Sequence, residues 1–291
     1  MRKKKLLILG STGMLGSSRY WFDERFLIQK HARTEREDID FIADLECIDE
    51  VSSMINKASP DVIVNLAALT NVDACENAGI AYKANVLTAK NIADSVARFP
   101  GVKPFVVHLS TDHIYDGISA SSESDLKIVN MYAFSKFSSE LAFRNIDHTI
   151  LRVNFFCKSQ SQKKSFTDWL YQALAENSKI TLFNDVHFNP LTDITLIKNL
   201  LNVCEKQVGG VFNLGASTSL SKASFAQLFA SELGLSFNNP RICSMAESGF
   251  QCVERPKNMH MNVDLFERTF RVRLPALEDE IQMITKEYIN E

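Results

Sequence analysis

Short apolar runs alternate along the chain with longer segments whose apolar residues recur at helical spacing, and this alternation leaves few folds open. Leu6-Leu7-Ile8-Leu9, Val62-Ile63-Val64 and Phe105-Val106-Val107-His108-Leu109 show no polar side at strand periodicity. Strands made from such runs are covered on both faces, as in a parallel sheet. Strands are expected at 5–9, 26–32, 39–43, 61–65, 105–110 and 148–156, with 26–32 the less apolar and nearer an edge. Helices are expected from about Gly13, over 48–57 (ended by Ser59-Pro60), over 78–99 and over 132–144. Together they predict an α/β fold with a doubly wound parallel sheet. After residue 156 the pattern is less regular: helices at 165–177, 193–205, 224–233 and 277–288, and short strands at 180–183 and 211–214. No linker separates the halves, so a second, smaller α/β domain is expected to be interleaved with the first.

At 291 residues the chain can bury a large core. Its 23% charged residues, net charge of −3 and lack of a basic stripe exclude a nucleic-acid surface. Arg2-Lys3-Lys4-Lys5 resembles the charged start of an export signal, but the apolar run after it stops after four residues at Gly10. No stretch approaches the roughly 18 apolar residues of a membrane span. A cytoplasmic protein with no membrane partner is expected. The six cysteines, at 47, 75, 157, 204, 243 and 252, form no C-x-x-C pair and are expected to be buried free thiols. The six histidines show no close metal spacing, so no protein-held metal is expected.

Gly10-Ser11-Thr12-Gly13-Met14-Leu15-Gly16 follows the first apolar run directly. Gly10 permits a tight turn, Gly13 lets backbone approach a pyrophosphate, and Gly16 lets a following helix pack on the sheet. A helix starting there would aim N–H donors and its positive dipole end at the phosphates. After the second strand, Lys30-His31-Ala32-Arg33 holds no acid to accept from a ribose 2′-hydroxyl. A guanidinium can clamp a 2′-phosphate, so Arg33 favours NADPH, with NADH left open. Asp44 could accept from the adenine amino group or cap a helix. The small residues of Asn65-Leu66-Ala67-Ala68 would let backbone face the cofactor, or pack tightly without one.

Tyr132 and Lys136 share a face of a predicted helix. A nearby ammonium favours the phenolate, and lowering a tyrosine pKa by about three units is worth about 4 kcal/mol. The phenol would then work as a general acid near neutral pH. Thr111, at the end of a buried strand, could hold a substrate carbonyl beside it.

On these residues the chain resembles the extended short-chain dehydrogenase/reductases, and within them the dTDP-4-dehydrorhamnose reductase branch. The likeness runs almost end to end, through Gly10–Gly16, 61–68, Thr70-Asn71-Val72-Asp73-Ala74-Cys75-Glu76, Asn85, 110–117, 132–136, Leu151-Arg152-Val153 and Arg255-Pro256-Lys257-Asn258. It implies a Rossmann-type dinucleotide-binding domain over 1–156, completed by about 187–216, with a substrate-binding domain from 157–186 and 217–291. It implies NADPH-dependent reduction of the 4-keto group of a nucleotide-linked deoxysugar, in deoxysugar and cell-surface polysaccharide biosynthesis. The catalytic set becomes Thr111, Tyr132 and Lys136. Thr12, Met14, Leu15, Leu45 and Ser110 join Gly10, Gly13, Arg33, Asp44, Ala67, Ala68, Tyr132 and Lys136 around the cofactor. Thr70, Asp112, His113, Asn154, Asn189 and Arg255 become substrate-side residues, Arg255 for the diphosphate, with Pro190 and Thr192 beside Asn189. Asn85 shapes the site from behind. A homodimer is left open.

The branch usually has an aromatic residue where this chain has His113, and Pro-x-Asn where it has Val129-Asn130-Met131. The first helix and second strand also look compressed. Sugar-nucleotide dehydratases carry Thr-Asp-Glu, so His113 counts against dehydration. Two alternatives remain: a sugar-nucleotide epimerase with bound NAD(P), and a non-catalytic NADP-binding subunit like the regulatory subunit of methionine adenosyltransferase. The intact Tyr132/Lys136 pair counts against the second.

Overall fold

The first strand, β1 (Lys4–Leu9), is buried over its last four residues. It runs parallel to β2 (Phe26–Ala32) on one side and to β4 (Val62–Asn65) on the other. β3 (Phe41–Ile42) adds in parallel outside β2, and β5 (Phe105–Thr111) in parallel outside β4. The computed structural model describes residues 2–249 and 253–289. In it these strands join β6 (His148–Val153) and Gly210–Leu214 in one seven-stranded sheet of order β3-β2-β1-β4-β5-β6 and then 210–214. The fold is the expected Rossmann-type α/β sheet. Every residue of β4 and β5 is buried, as continuous apolar runs require. On one face Leu7, Leu9, Ile63, Val106 and Ile150 pack with α1 (Ile48–Ala58) and, later in the chain, the helix Thr88–Arg98. From α1 the core takes Val51, Met54, Ile55 and Ala58, a single helical stripe.

Three elements differ from their expected form. The segment 78–99 is one helical run with a widened centre: α2 (Ala78–Ala81), a π-helical stretch Tyr82–Leu87, and α3 (Thr88–Arg98). The strand expected over 148–156 breaks at Asn154 into β6 and the pair Phe155–Phe156, which ladders with Leu191–Thr192 instead. No helix follows Gly13. Residues 10–25 form turns, with one helical loop closed by Ser17 N–H on Gly13 O (2.9 Å). The indole of Trp21, buried, donates to Leu15 O at 2.8 Å and draws the chain back before a second turn can form. Gly16 therefore has a different task from the expected one. A Cβ there would lie 2.6 Å from Gly10 O and 2.5 Å from Ser11 Cα, so this glycine lets the turn fold onto itself.

The chain divides into two compact units: 1–111 with 130–152 and 197–211, and 112–129 with 153–196 and 212–291. The second is built on short ladders, Leu220–Ser221 antiparallel to His187–Phe188 and Arg241–Cys243 parallel to Thr181–Phe183. Its core is aromatic, with Phe156 edge-on to Phe225 at 5.0 Å and Phe188 5.4 Å from the same ring. The five described cysteines carry no disulfide and all but Cys47 are buried; Cys252 lies outside the described residues. Among the described residues no helix is long and apolar enough to cross a membrane.

Candidate active site

Asn130 opens the helix α4 (Met131–Leu141), its Oδ1 accepting from Ala133 N–H at 2.8 Å. This cap sets where the helix begins. Tyr132, Ser135, Lys136, Ser139 and Glu140 are all buried on it. Lys136 Nζ donates to Leu109 O of β5 at 2.7 Å, two residues before Thr111, which is itself buried. Burial pushes the Lys136 ammonium down to about 8, against the opposing pull of Glu140 and then Cys75.

One helical turn beyond Lys136, Glu140 meets Arg152 of β6 in a buried, two-bonded pair, Nε to Oε1 at 3.1 Å and a terminal nitrogen to Oε2 at 2.7 Å. Ser110 Oγ donates to the same carboxylate at 2.5 Å, so the hydroxyl expected beside the cofactor is engaged with the ion pair. Asn85, in the widened turn before α3, accepts from Leu69 N–H (2.7 Å) and donates to Ser135 Oγ (2.8 Å). Ser135 Oγ in turn donates to Tyr132 O (2.8 Å). Asn85 thus ties the loop after β4 to the turn of α4 that carries Tyr132. Widened helical turns of this kind recur where a side chain must be re-aimed.

Two buried histidines brace the loops. Gly10 sits at φ +80, and a Cβ there would lie 3.0 Å from Ala67 Cα and N, so only glycine fits between the loops after β1 and β4. Gly10 N–H donates to His31 Nδ1 (3.3 Å), and His31 Nε2–H donates to Ala43 O (3.0 Å). On β5, His108 Nδ1 accepts from Asn65 Nδ2 (3.0 Å), whose Oδ1 holds Ala67 N–H (3.1 Å). Its Nε2–H donates to Ser139 Oγ (2.9 Å), which donates to Lys136 O (2.6 Å). Both rings are neutral in these networks, the tautomer set by their partners.

Burial lowers the pKa of His31, and lowers that of His108 well below 6.5 with Lys136 and His148 adding to the effect. The unfolded chain therefore takes up protons first. Stability contributed by the neutral rings is whole above about pH 6.5 and falls as pH drops below it. Urea unfolding at pH 8 and pH 5 is expected to show the loss, and a His108→Gln variant a smaller one. Equal pH dependence in the two proteins would remove His108 from the account.

The remaining expected residues lie as follows. In the glycine turn Thr12 and Met14 are half-buried, Gly13 is exposed and Leu15 is buried. Among the described residues the N–H groups of Thr12 and Met14 take no backbone partner. Arg33, Asp44 and Thr70 are exposed, Ala67 and Ala68 half-buried, Leu45 buried. The Asp44 carboxylate accepts from Glu46 N–H at 2.9 Å, a turn-closing bond. In the second unit Asn154 Nδ2 donates to Asp112 at 2.6 Å. His113 is pushed down to about 4, first by burial and then by Lys222 and Arg255.

Asn189 is fully buried and brackets backbone: Nδ2 donates to Ala216 O (2.7 Å) and Met261 O (3.0 Å), and Oδ1 accepts from Met261 N–H (3.0 Å). Thr192 is equally buried and donates to Glu280 (2.7 Å). Both hold the second unit together, and neither offers its side chain to a ligand. Asn189→Ala is expected to cost about 1–3 kcal/mol of unfolding free energy, read by denaturant titration, because it strands buried backbone groups. An open hollow of about 440 Å³ in the same unit, lined by Ala120, Ser217, His260, Glu267 and Arg273 among others, contains none of the expected residues.

Sequence reasoning missed His31, His108, Ser139 and Glu140. Their signal was present: a histidine inside the apolar run of β5, and polar residues at 135, 139 and 140 on the face shared by Tyr132 and Lys136.

A parallel sheet, a glycine turn after its first strand, and a buried Tyr-x-x-x-Lys helix after the strand ending at Thr111 define an extended short-chain dehydrogenase/reductase. The model of one family, the RmlD substrate binding domain, matches residues 4–290, and the chain belongs to that family. The chain is 28% identical to a dTDP-4-dehydrorhamnose reductase of Sinorhizobium fredii over 83% of its length and 85% of the relative's. It is 25% identical to one of Escherichia coli over 98% of its length and 97% of the relative's. The crystal structure of a Bacillus anthracis dTDP-4-dehydrorhamnose reductase in complex with NADP superposes with a TM-score of 0.87 at 20% identity, covering 98% of this chain and all of that one.

Proposed function

We propose that this chain is an NADPH-dependent oxidoreductase that reduces the 4-keto group of a nucleotide-linked deoxysugar, in deoxysugar biosynthesis. The observation that carries the reading is the joint burial of Tyr132 and Lys136 on one face of α4, with Lys136 bonded to the strand that ends in Thr111. Relatives named dTDP-4-dehydrorhamnose reductase match over 83% and 98% of the chain.

The glycine turn fits a dinucleotide. Gly10 leaves no room for a Cβ against Ala67, and the Thr12 and Met14 N–H groups are open for phosphate oxygens. Without a full helix behind the turn, backbone donors rather than a macrodipole hold the pyrophosphate. Bound there, the reduced nicotinamide would supply the hydride to C4. Tyr132 gives its phenolic proton to the carbonyl oxygen as the C–H bond forms, and Thr111 Oγ holds that oxygen in line. The Lys136 ammonium stabilises the phenolate left on Tyr132. Asp112, His113, Asn154 and Arg255 are the residues proposed for the sugar nucleotide.

Assay with a panel of nucleotide 4-keto-sugars tests the reading. A reductase consumes one reduced cofactor per hydroxyl formed, whereas an epimerase gives no net change in nicotinamide absorbance and a binding subunit turns over none of the panel. Arg33, exposed after β2, is expected to discriminate between cofactors. Arg33→Ala should weaken NADPH by about tenfold or more and NADH little, the loss of one charge-assisted contact. Equal weakening of both would take the 2′-phosphate away from Arg33.

A further inference from the structure

A row of polar side chains crosses the apolar interior of the sheet. Leu9 lies beside His31 of β2 and beside Asn65 of β4, and Asn65 lies beside His108 of β5. All four are buried, just below the loops that carry Gly10 and Ala67. At position 108 an apolar residue would continue Phe105-Val106-Val107. Replacing both partners of a buried hydrogen bond by apolar groups is nearly neutral for stability, so packing alone does not call for a histidine there.

The histidine adds two ring nitrogens that reach opposite ways, one toward the loop after β4 and the other toward α4. Ala67 N–H donates to Asn65 Oδ1 (3.1 Å) and Asn65 Nδ2 to His108 Nδ1 (3.0 Å). His108 Nε2–H donates to Ser139 Oγ (2.9 Å), and Ser139 Oγ to Lys136 O (2.6 Å). All four bonds donate in the same direction, from the loop to the backbone of α4. Bonds aligned in this way polarise one another, and the neighbours fix the tautomer of the ring. The ring also packs on Phe143, centroid to centroid at 4.8 Å. Lys136 is thus held twice by adjacent residues of β5: at its carbonyl through His108 and at its ammonium by Leu109 O (2.7 Å). At the other end, Ala67 is the wall that leaves Gly10 no room for a Cβ.

We infer that His108 is a positioning residue, which ties the Ala67 wall of the glycine turn to the backbone of Lys136 and so holds the dinucleotide cradle and the proton-transfer helix at one spacing. The inference rests on the reductase reading for the task given to Lys136. His108 touches neither substrate nor cofactor and acts through Asn65 on one side and Ser139 on the other.

Asparagine and glutamine at this position separate the two links. An asparagine amide falls where Nδ1 lies and can accept from Asn65, whereas a glutamine amide falls where Nε2 lies and can donate to Ser139. The full chain is titrated with NADPH by nicotinamide fluorescence, and kcat is measured at saturating NADPH on the nucleotide 4-keto-sugar that the unsubstituted protein reduces. His108→Asn is expected to lower kcat by about tenfold or more with NADPH affinity within about twofold, since a small misplacement near the chemistry is costly in rate. His108→Gln is expected to weaken NADPH by about fivefold or more and to retain more of kcat than asparagine does. Should either variant fail to fold, Ser139→Ala cuts the same chain of bonds at α4 by removing one oxygen, and it should follow the asparagine pattern; an unchanged kcat in it overturns the inference. Equal changes in both position-108 variants, as a purely structural role would give, or no change in either, also overturn it. If no keto-sugar is reduced at all, the reductase reading falls and the NADPH titrations decide alone. Weaker binding by His108→Gln than by His108→Asn then supports the link, and equal binding overturns it.

Discussion

Tyr132→Phe is expected to lower turnover of a nucleotide keto-sugar by about a thousandfold, within the range removed with a positioned general acid. The ring is buried, and phenylalanine fills the same volume, so the fold and the glycine turn are left intact. Cofactor affinity should stay within about twofold, because the phenol acts on the carbonyl and not on the pyrophosphate. Substrate reduction without that proton leaves a bare alkoxide, the charged product that a positioned general acid avoids. Steady-state kinetics together with NADPH titration give both numbers. Wild-type turnover in the variant would move proton delivery to another group and remove the role given to α4.

Glu140→Gln is expected to be the most damaging substitution for stability. It leaves the Arg152 guanidinium buried without its counter-charge, and breaking one side of such a pair costs about 3–5 kcal/mol. Against a usual total of about 5–15 kcal/mol, that is a large share of the whole. The double variant Glu140→Gln/Arg152→Met should recover much of the loss, since an apolar pair of similar size strands no charge. A second effect separates this residue from a purely structural one. Glu140 helps to keep Lys136 protonated, and burial has already pushed that ammonium down to about 8. Removing the carboxylate lowers it further, so the ammonium is lost at lower pH and the alkaline limb of the kcat/KM profile should shift to lower pH. Urea unfolding and the pH–rate profile test the two effects independently. A variant that melts earlier with an unshifted limb would confine Glu140 to holding β6 and α4 together.

The sheet was legible because its strands carry the signal locally: a run such as Val62-Ile63-Val64 with no polar side can only be an interior strand. The Tyr132/Lys136 pair was legible because four residues on a helix fix a shared face whatever lies around it. Gly10 was legible for a similar reason, its close approach being set at the end of one strand. The first helix was misread because glycine spacing says how a turn begins and not how far it continues. Trp21, bonding back to Leu15, ended it. Asn189 was misread because a buried asparagine looks the same in sequence whether it meets a ligand or, as here, the backbone at 216 and 261.

The amino-acid sequence by itself determined the parallel sheet, the glycine turn and the face that joins Tyr132 to Lys136, since each depends on periodicities of a few residues. Only the tertiary structure decided that Glu140 would bind Arg152, that His108 would join Asn65 to Ser139, and that Lys222 would come to stand near Arg255 and His113. Those partners are far apart in the chain, and burial sets the strength of their charges and hydrogen bonds. Neither partner nor burial exists until the chain has folded.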